Sequence, residues 1–376
     1  MSCETLTALT SRRPAAEAAT RVEAPGGFET SEHARTFHSL RPEVVHKYFL
    51  VSRGARGHSE PVPARRRELP PQLAARPFTL DAARAAGLGR PRVAGVSRLA
   101  PRVYSILEPT LADRVAAHLA TLPGDLLVEG VTALALHGVA VGTPEPLRFC
   151  SPTGLRVRRD GVRVRRLSVT APPAAGRILT PPAAWATASC DLDLVELVVA
   201  GDWLVRLKKA TPAAFQEHAA TLTGRHSRTV RRAAGLVRER VDSPPESRLR
   251  MCLVLAGLPE PVCNVDLGDD SFFIATPDLA YLVHRLLLEY EGDHHRTDRG
   301  QWQKDIRRER QLRTAGYELV RITAETMRRP RELVREVHAL LVKAGYDGPE
   351  PEFTPEWRAC FETRHRVEAL GGFRDR

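Results

Sequence analysis

Two neighbouring pieces of sequence decide how this chain is read: Pro277-Asp278-Leu279-Ala280-Tyr281, and Leu286-Leu287-Leu288-Glu289-Tyr290-Glu291-Gly292-Asp293-His294-His295. The run Leu286 to Leu288 is apolar and bounded, the pattern of a buried strand. It ends in acid. Side chains alternate along a strand, so Glu289 and Glu291 share one face and Tyr290 takes the other. Two carboxylates on one face repel each other and are costly to dehydrate. Asp278 precedes Glu289 by ten intervening residues, and a hairpin brings the two side by side. Gly292 lets the chain turn sharply, with Asp293, His294 and His295 at the tip. Oxygen ligands so placed suit a hard divalent cation. A surface network satisfied by neighbouring arginines is the blander reading of the same acids.

Outward from this stretch the C-terminal part reads as one unit. Ser243 is placed to cap a helix over Glu246 to Ala256, which Gly257 ends. Val262 to Leu267 and Phe272 to Thr276 read as strands joined around Gly268-Asp269-Asp270. Leu279 to Val283 and Arg285 to Glu291 follow. Thr297 or Asp298 starts a helix through Arg313, docked by Trp302, Ile306 and Leu312, with Lys304, Arg307, Arg308 and Arg310 adding positive charge. Glu318 to Thr323 is a strand, and Arg331 to Lys343 a last amphipathic helix. Helix, strand meander, helix, strand, helix predicts a mixed sheet flanked by helices. The tail, 347–376, is rich in Pro and charge and is expected to pack loosely.

Pro277-Asp278 followed by Glu289-Tyr290-Glu291 resembles the PD-(D/E)xK nuclease signature. More fully, Asp278-Leu279-Ala280-Tyr281, Glu289-Tyr290-Glu291-Gly292, His295, Asp305, Arg308, Gly316 and Arg321 resemble the nuclease-like domain related to very-short-patch-repair (Vsr) endonucleases. That domain is common at the C-terminus of actinobacterial proteins, and the resemblance spans about Ser243 to Gly345. It implies a restriction-endonuclease-like fold over 243–346, DNA as substrate, and Mg2+ or Mn2+ held by Asp278 and Glu289. Glu291 and Glu246 would complete the site, Glu246 matching by position a glutamate that approaches the metal; taken alone, Glu246 reads equally as a first-turn acid at the positive end of its helix. His295 would assist proton transfer or touch the phosphate. The signature lysine is Glu291 here, where the subfamily usually has aspartate. Arg308 can replace part of that lysine's electrostatic role, but a guanidinium rarely acts as a base.

Upstream, residues 1–66 are rich in Ala, Arg, Glu and Pro without periodicity, as in a disordered extension. Within 67–107, Thr79 can cap a short helix over Leu80 to Ala86. Arg90 to Val96 reads as a second helix and Leu99 to Tyr104 as a wing strand. This layout predicts a winged helix-turn-helix and resembles the N-terminal module of AbiEi-type antitoxins. Arg90, Arg92 and Arg98 would meet phosphates or base edges, or simply be solvated. Residues 108–240 form an α+β middle region that resembles the AbiEi-like segment. Its His137, among apolar residues, reads as a satisfied core histidine. Asp160-Gly161 between alternating runs signals a two-residue hairpin. That hairpin would set Arg156 and Arg158, with Arg163 and Arg165, on a ribbon face along a phosphate backbone; a solvated sheet face is the alternative. Leu194 to Leu207 reads as core, and Arg225 to Arg240 as a basic helix.

The fold class expected is therefore α/β, an α+β multidomain chain. Net charge is +11, which suggests a polyanionic partner. Only five of the 56 cations are lysine, so a GC-rich genome explains part of that excess. The six cysteines form no Cys-x-x-Cys pair, which excludes a zinc ribbon or redox motif of that kind and suits a reducing cytoplasm. No apolar run is long enough to span a bilayer. Two functions follow as expectations: a metal-dependent DNA endonuclease in repair or defence, or an antitoxin-type regulator with an inactive nuclease fold and a toxin protein as partner.

Overall fold

The computed structural model describes residue 73 and residues 77–88, 96–167, 172–269, 272–291 and 299–362. The extension 1–66, the second helix of the expected helix-turn-helix with Arg90 and Arg92, and the tip carrying His295 lie outside the described residues.

The first described module holds β1 (Phe78–Thr79), α1 (Leu80–Ala85), β2 (Ser97–Ala100) and β3 (Val103–Ser105). Thr79 caps α1 as expected, its Oγ1 accepting from Ala82 N–H at 3.1 Å. The expected wing is a two-stranded hairpin, and the sheet order is β1-β3-β2, all antiparallel. Arg102 at the hairpin turn has φ +64 and clasps Asp81 with two bonds from Nη2, of 2.7 and 2.8 Å.

The middle region opens with α2 (Leu111–Leu119), whose Thr110 and Asp113 form a reciprocal capping box. A five-stranded mixed sheet follows, order β6-β5-β4-β8-β7. Its strands are β4 (Leu127–Val128), β5 (Leu147–Ser151), β6 (Val162–Arg166), β7 (Ala174–Ala175) and β8 (Ile178–Leu179), with α3 (Gly130–Leu136) between β4 and β5. The helices α4 (Pro181–Ala188), α5 (Leu194–Arg206), α6 (Pro212–Thr221) and α7 (Ser227–Leu236) complete it. Trp185, Phe149 and Phe215 are fully buried in its core. His137 Nε2 lies 2.8 Å from the Leu179 carbonyl, a satisfied histidine.

The arginine ribbon does not form. Asp160-Gly161 does turn, with Gly161 at φ +71, but beyond the single bridge between Arg159 and Val162 the flanks stay apart. Val162 and Val164 pack on the middle core, which commits β6 to a parallel pairing with β5 instead. Residues 155–158 are left as loop.

The C-terminal part runs α8 (Pro244–Leu255), β9 (Val262–Cys263), β10 (Leu267–Asp269), β11 (Phe272–Ala275), β12 (Leu279–Tyr281), β13 (Leu286–Glu291), α9 (Arg299–Thr314), β14 (Glu318–Thr323), α10 (Ala324–Met327), α11 (Pro330–Lys343) and α12 (Pro355–Phe361). Its four-stranded sheet has order β14-β13-β12-β9. β12 is antiparallel to both neighbours, and β13 runs parallel to β14 over six residues. A parallel pair needs a long crossover, and α9 supplies it. The stretch expected as one strand over Val262 to Leu267 splits: β9 joins the sheet, while β10 and β11 form a separate ribbon. The fold is thus a mixed α+β arrangement of several sheets and helices.

One expectation fails at the far end. Residues 347–362 are not a loose tail: α12 puts Trp357 at zero exposure, with Nε1 donating to the Cys252 carbonyl at 2.9 Å. An indole buries roughly 150–250 Å² of surface, enough to hold a Pro-rich segment onto α8. Helix α8 also divides two cores, Met251 facing the middle region and Leu249, Cys252 and Leu253 the C-terminal one. Among the described residues, no helix is long and apolar enough to cross a membrane.

Candidate functional site

The acids at 278 and 289 meet because of strand register. Leu279 pairs with Leu288, so the next step along the antiparallel pair brings Asp278 beside Glu289. Asp278 Oδ2 accepts the Tyr290 N–H at 2.6 Å, which fixes the carboxylate over the end of β13.

Glu246 comes from the first turn of α8, where Ser243 Oγ caps its N–H at 3.4 Å. Its side chain is buried and its Oε2 accepts from Asp242 N–H at 3.0 Å and Asn264 Nδ2 at 2.8 Å. Asn264 is the residue that sequence reasoning missed. It is buried, adopts φ +42, and donates its backbone N–H to the Asp278 carbonyl at 3.0 Å. Its Nδ2 also reaches the Arg240 carbonyl at 2.7 Å. Asn264 therefore ties the linker before α8, Glu246 and the start of β12 to one another. The available signal was an asparagine just after an apolar pair, a residue type that tolerates the left-handed region.

Arg308 enters from α9, with Nη2 2.6 Å from Glu289 Oε2. Among the described residues, Arg308 is the cation that acts on Asp278, against the carboxylates of Glu246 and Glu289. Burial, then the charge of Glu246, push the Asp278 carboxyl up to about 7; Glu289 adds to the push, while the Tyr290 N–H and Arg308 pull the other way. Glu291 lies further out. Its Oε1 is 3.7 Å from Arg321 Nε, and Arg321 Nη2 is 3.2 Å from Glu309 Oε2. Among the described residues, no group of three His, Cys, Asp or Glu side chains is arranged to hold a metal ion.

The expected DNA-contacting arginines scatter. Arg98 is exposed on β2, and Arg156 and Arg158 are exposed on the loop before β6. Arg163 is exposed on β6, 3.6 Å from Asp191. Arg165 turns inward to Glu129, with bonds of 2.6 and 2.8 Å, and also touches Cys190. The four do not share a face. Arg165 serves instead to neutralise Glu129, a carboxylate that burial pushes up and Arg165 pulls back.

No family model matches this chain, and no solved structure matches it. Two uncharacterized proteins of Mycobacterium tuberculosis, from strains CDC 1551 / Oshkosh and ATCC 25618 / H37Rv, are each 26% identical to it over 266 residues. The match covers 68% of this chain and 95% of each relative.

Proposed function

We propose that this chain is a DNA-binding protein whose residues 243–346 form a metal-dependent endonuclease-like domain, hydrolysing DNA phosphodiesters in repair or defence in the cytoplasm. One observation carries the reading: Asp278 and Glu289 meet at the ends of β12 and β13 beside Arg308, and burial with the charges of Glu246 and Glu289 pushes the Asp278 carboxyl up. The order α8, β9, β12, β13, α9, β14 also agrees with the restriction-endonuclease-like sheet that the resemblance implies.

Asp278 and Glu289 fit a hard cation as a pair: both offer carboxylate oxygens, and Mg2+ takes one or two carboxylates with water and phosphate completing its shell. When bound by Asp278 and Glu289, Mg2+ or Mn2+ supplies charge neutralisation at the phosphate and acidifies the attacking water. The protein's own groups do the rest. Glu246, fixed by Asn264 and the Asp242 N–H, sets its carboxyl group against Asp278. Without an ion, Asp278 holds its proton more tightly than an ordinary carboxyl, so a cation that binds it would displace that proton. Arg308 presents a guanidinium suited to phosphate oxygens. Arg98 on β2 offers a further phosphate contact.

A second reading, the antitoxin-type regulator with a toxin protein as partner, is favoured by the ion pairs. Arg308 on Glu289 and Arg321 near Glu291 already neutralise two acids, and Glu291 stands where the signature carries lysine. Incubation of supercoiled plasmid with Mg2+ or Mn2+ separates the two. Nicking by the wild type and not by Glu289→Gln is the enzyme's expected result. No nicking with either metal, alongside salt-dependent duplex binding, would assign the chain to the regulator.

A further inference from the structure

We infer that Arg308 is a built-in counter-cation that competes with the metal ion for Glu289 and is drawn off by a nucleic-acid phosphate, so that substrate and metal bind this site cooperatively. The inference rests on the nuclease reading above and adds an order of events to it.

The geometry is asymmetric. Arg308 Nη2 holds Glu289 Oε2 at 2.6 Å, yet the glutamate side chain keeps only 13% of its exposure while the arginine keeps 33%. The carboxylate is fixed at the end of a sheet strand. The guanidinium has a route to solvent. It also has a spare donor: Arg308 Nε is buried and has no hydrogen-bond acceptor among the described residues. A buried donor without a partner is costly, and an approaching phosphate oxygen satisfies it. Guanidinium and phosphate match in planar, paired geometry, better than a lone ammonium would. Arg307 and Arg310 are exposed on the same helix and raise the local pull on a polyanion.

Charge sets the direction of coupling. Among the described residues, Glu246, Asp278 and Glu289 carry three negative charges when ionised, and Arg308 brings one positive charge to them. A divalent cation entering this site meets Arg308 as a like charge on a shared ligand. The free protein therefore binds metal weakly. Once a phosphate has taken the guanidinium, Glu289 loses its bond to Arg308 and the site becomes more attractive to the ion. By linkage, the metal strengthens phosphate binding by the same factor.

The test is Mn2+ titration by calorimetry into wild type, Arg308→Met, Arg308→Lys and Asp278→Asn, each with and without a phosphorothioate duplex that resists cutting, with thermal melts run on the same samples. In the absence of duplex, Arg308→Met should bind Mn2+ at least about fivefold more tightly than wild type. Duplex should tighten Mn2+ binding by wild type and leave Arg308→Met unchanged. Arg308→Lys keeps the charge, so it should retain weak Mn2+ binding in free protein, and it decides the matter if the methionine variant melts early. Mn2+ binding by Arg308→Met that equals or falls below wild type, or by Arg308→Lys well above it, overturns the inference. So does wild-type binding that depends on Asp278 but ignores duplex, a result that leaves the nuclease reading standing. Wild-type Mn2+ binding that Asp278→Asn does not reduce removes that reading, and this inference with it.

Discussion

Asp202 and Asp278 are both carboxyls that burial pushes above their ordinary range, and they differ in what the chain sets around them. Asp202, on α5, accepts from the Arg238 N–H at 2.8 Å, from Ser247 Oγ at 2.7 Å and from Arg250 Nη2 at 2.9 Å. Arg250 is fully buried and extends the network to Glu260 at 2.8 Å and to the Leu236 carbonyl at 2.9 Å. Burial opposes the charge on Arg250, yet Asp202 beside it holds its pKa above the ordinary value. This network stitches the middle region to α8. Asp278 instead accepts one backbone N–H, and its nearest charges include two further acids. An acid that serves the fold is surrounded by donors. On the reading proposed above, Asp278 is an acid kept for a ligand, and its few donors are what sets it apart from Asp202.

The comparison breaks most visibly at Arg250. Arg250→Ala strands Asp202 in the junction without its cation, which costs about 3–5 kcal/mol. Urea unfolding should show that loss, and an unchanged midpoint would mean that Asp202 does not need its partner. Asp278→Asn should move stability the other way, and with pH. The native state holds the Asp278 proton more tightly than the unfolded chain does, because its pKa of about 7 exceeds the ordinary 3.8. The resulting penalty is absent below about pH 4, grows as pH rises, and is complete above about pH 7, reaching at most about 4 kcal/mol. The variant should therefore exceed wild type in urea midpoint by a margin that is small at pH 4.5 and largest at pH 8. A margin independent of pH would contradict the account.

Two smaller effects sharpen the contrast. Asn264→Gly keeps the left-handed backbone but drops both side-chain bonds. Mn2+ affinity should fall about tenfold, the scale of lost support behind a ligand, while Arg250 and its network are untouched. Arg98→Ala, at an exposed residue, should leave stability unchanged and lower the salt dependence of duplex binding by about one contact. No change in the salt slope would remove Arg98 from the interface.

Much of this was legible in the sequence where the signal was local. The apolar run before Glu289, the caps at Thr79 and Ser243, and the strand Glu318–Thr323 are all set by neighbouring residues, and all appear as read. Asp278 beside Glu289 was legible because a short hairpin fixes register. What failed was non-local. Asp160-Gly161 does turn, but the partner of β6 was chosen by Val162 and Val164 packing on a core that no window of sequence displays. Trp357 sits in a Pro- and charge-rich stretch, and only the pocket over Cys252 explains its burial. Asn264 was invisible for the same reason. Its role depends on Glu246, 18 positions away in the chain, and on Arg240, 24 away.

The measurement closest to the central claim is Mn2+ calorimetry on wild type and Asp278→Asn, with plasmid nicking on the same samples. With the phosphorothioate duplex present, wild type should bind Mn2+, and it should nick plasmid; Asp278→Asn, folded and at least as stable, should lose both by more than about 100-fold. Equal Mn2+ binding by the two proteins, or a wild type that neither binds nor cuts, would contradict that claim and make the acids at Asp278 and Glu289 a structural feature of this fold.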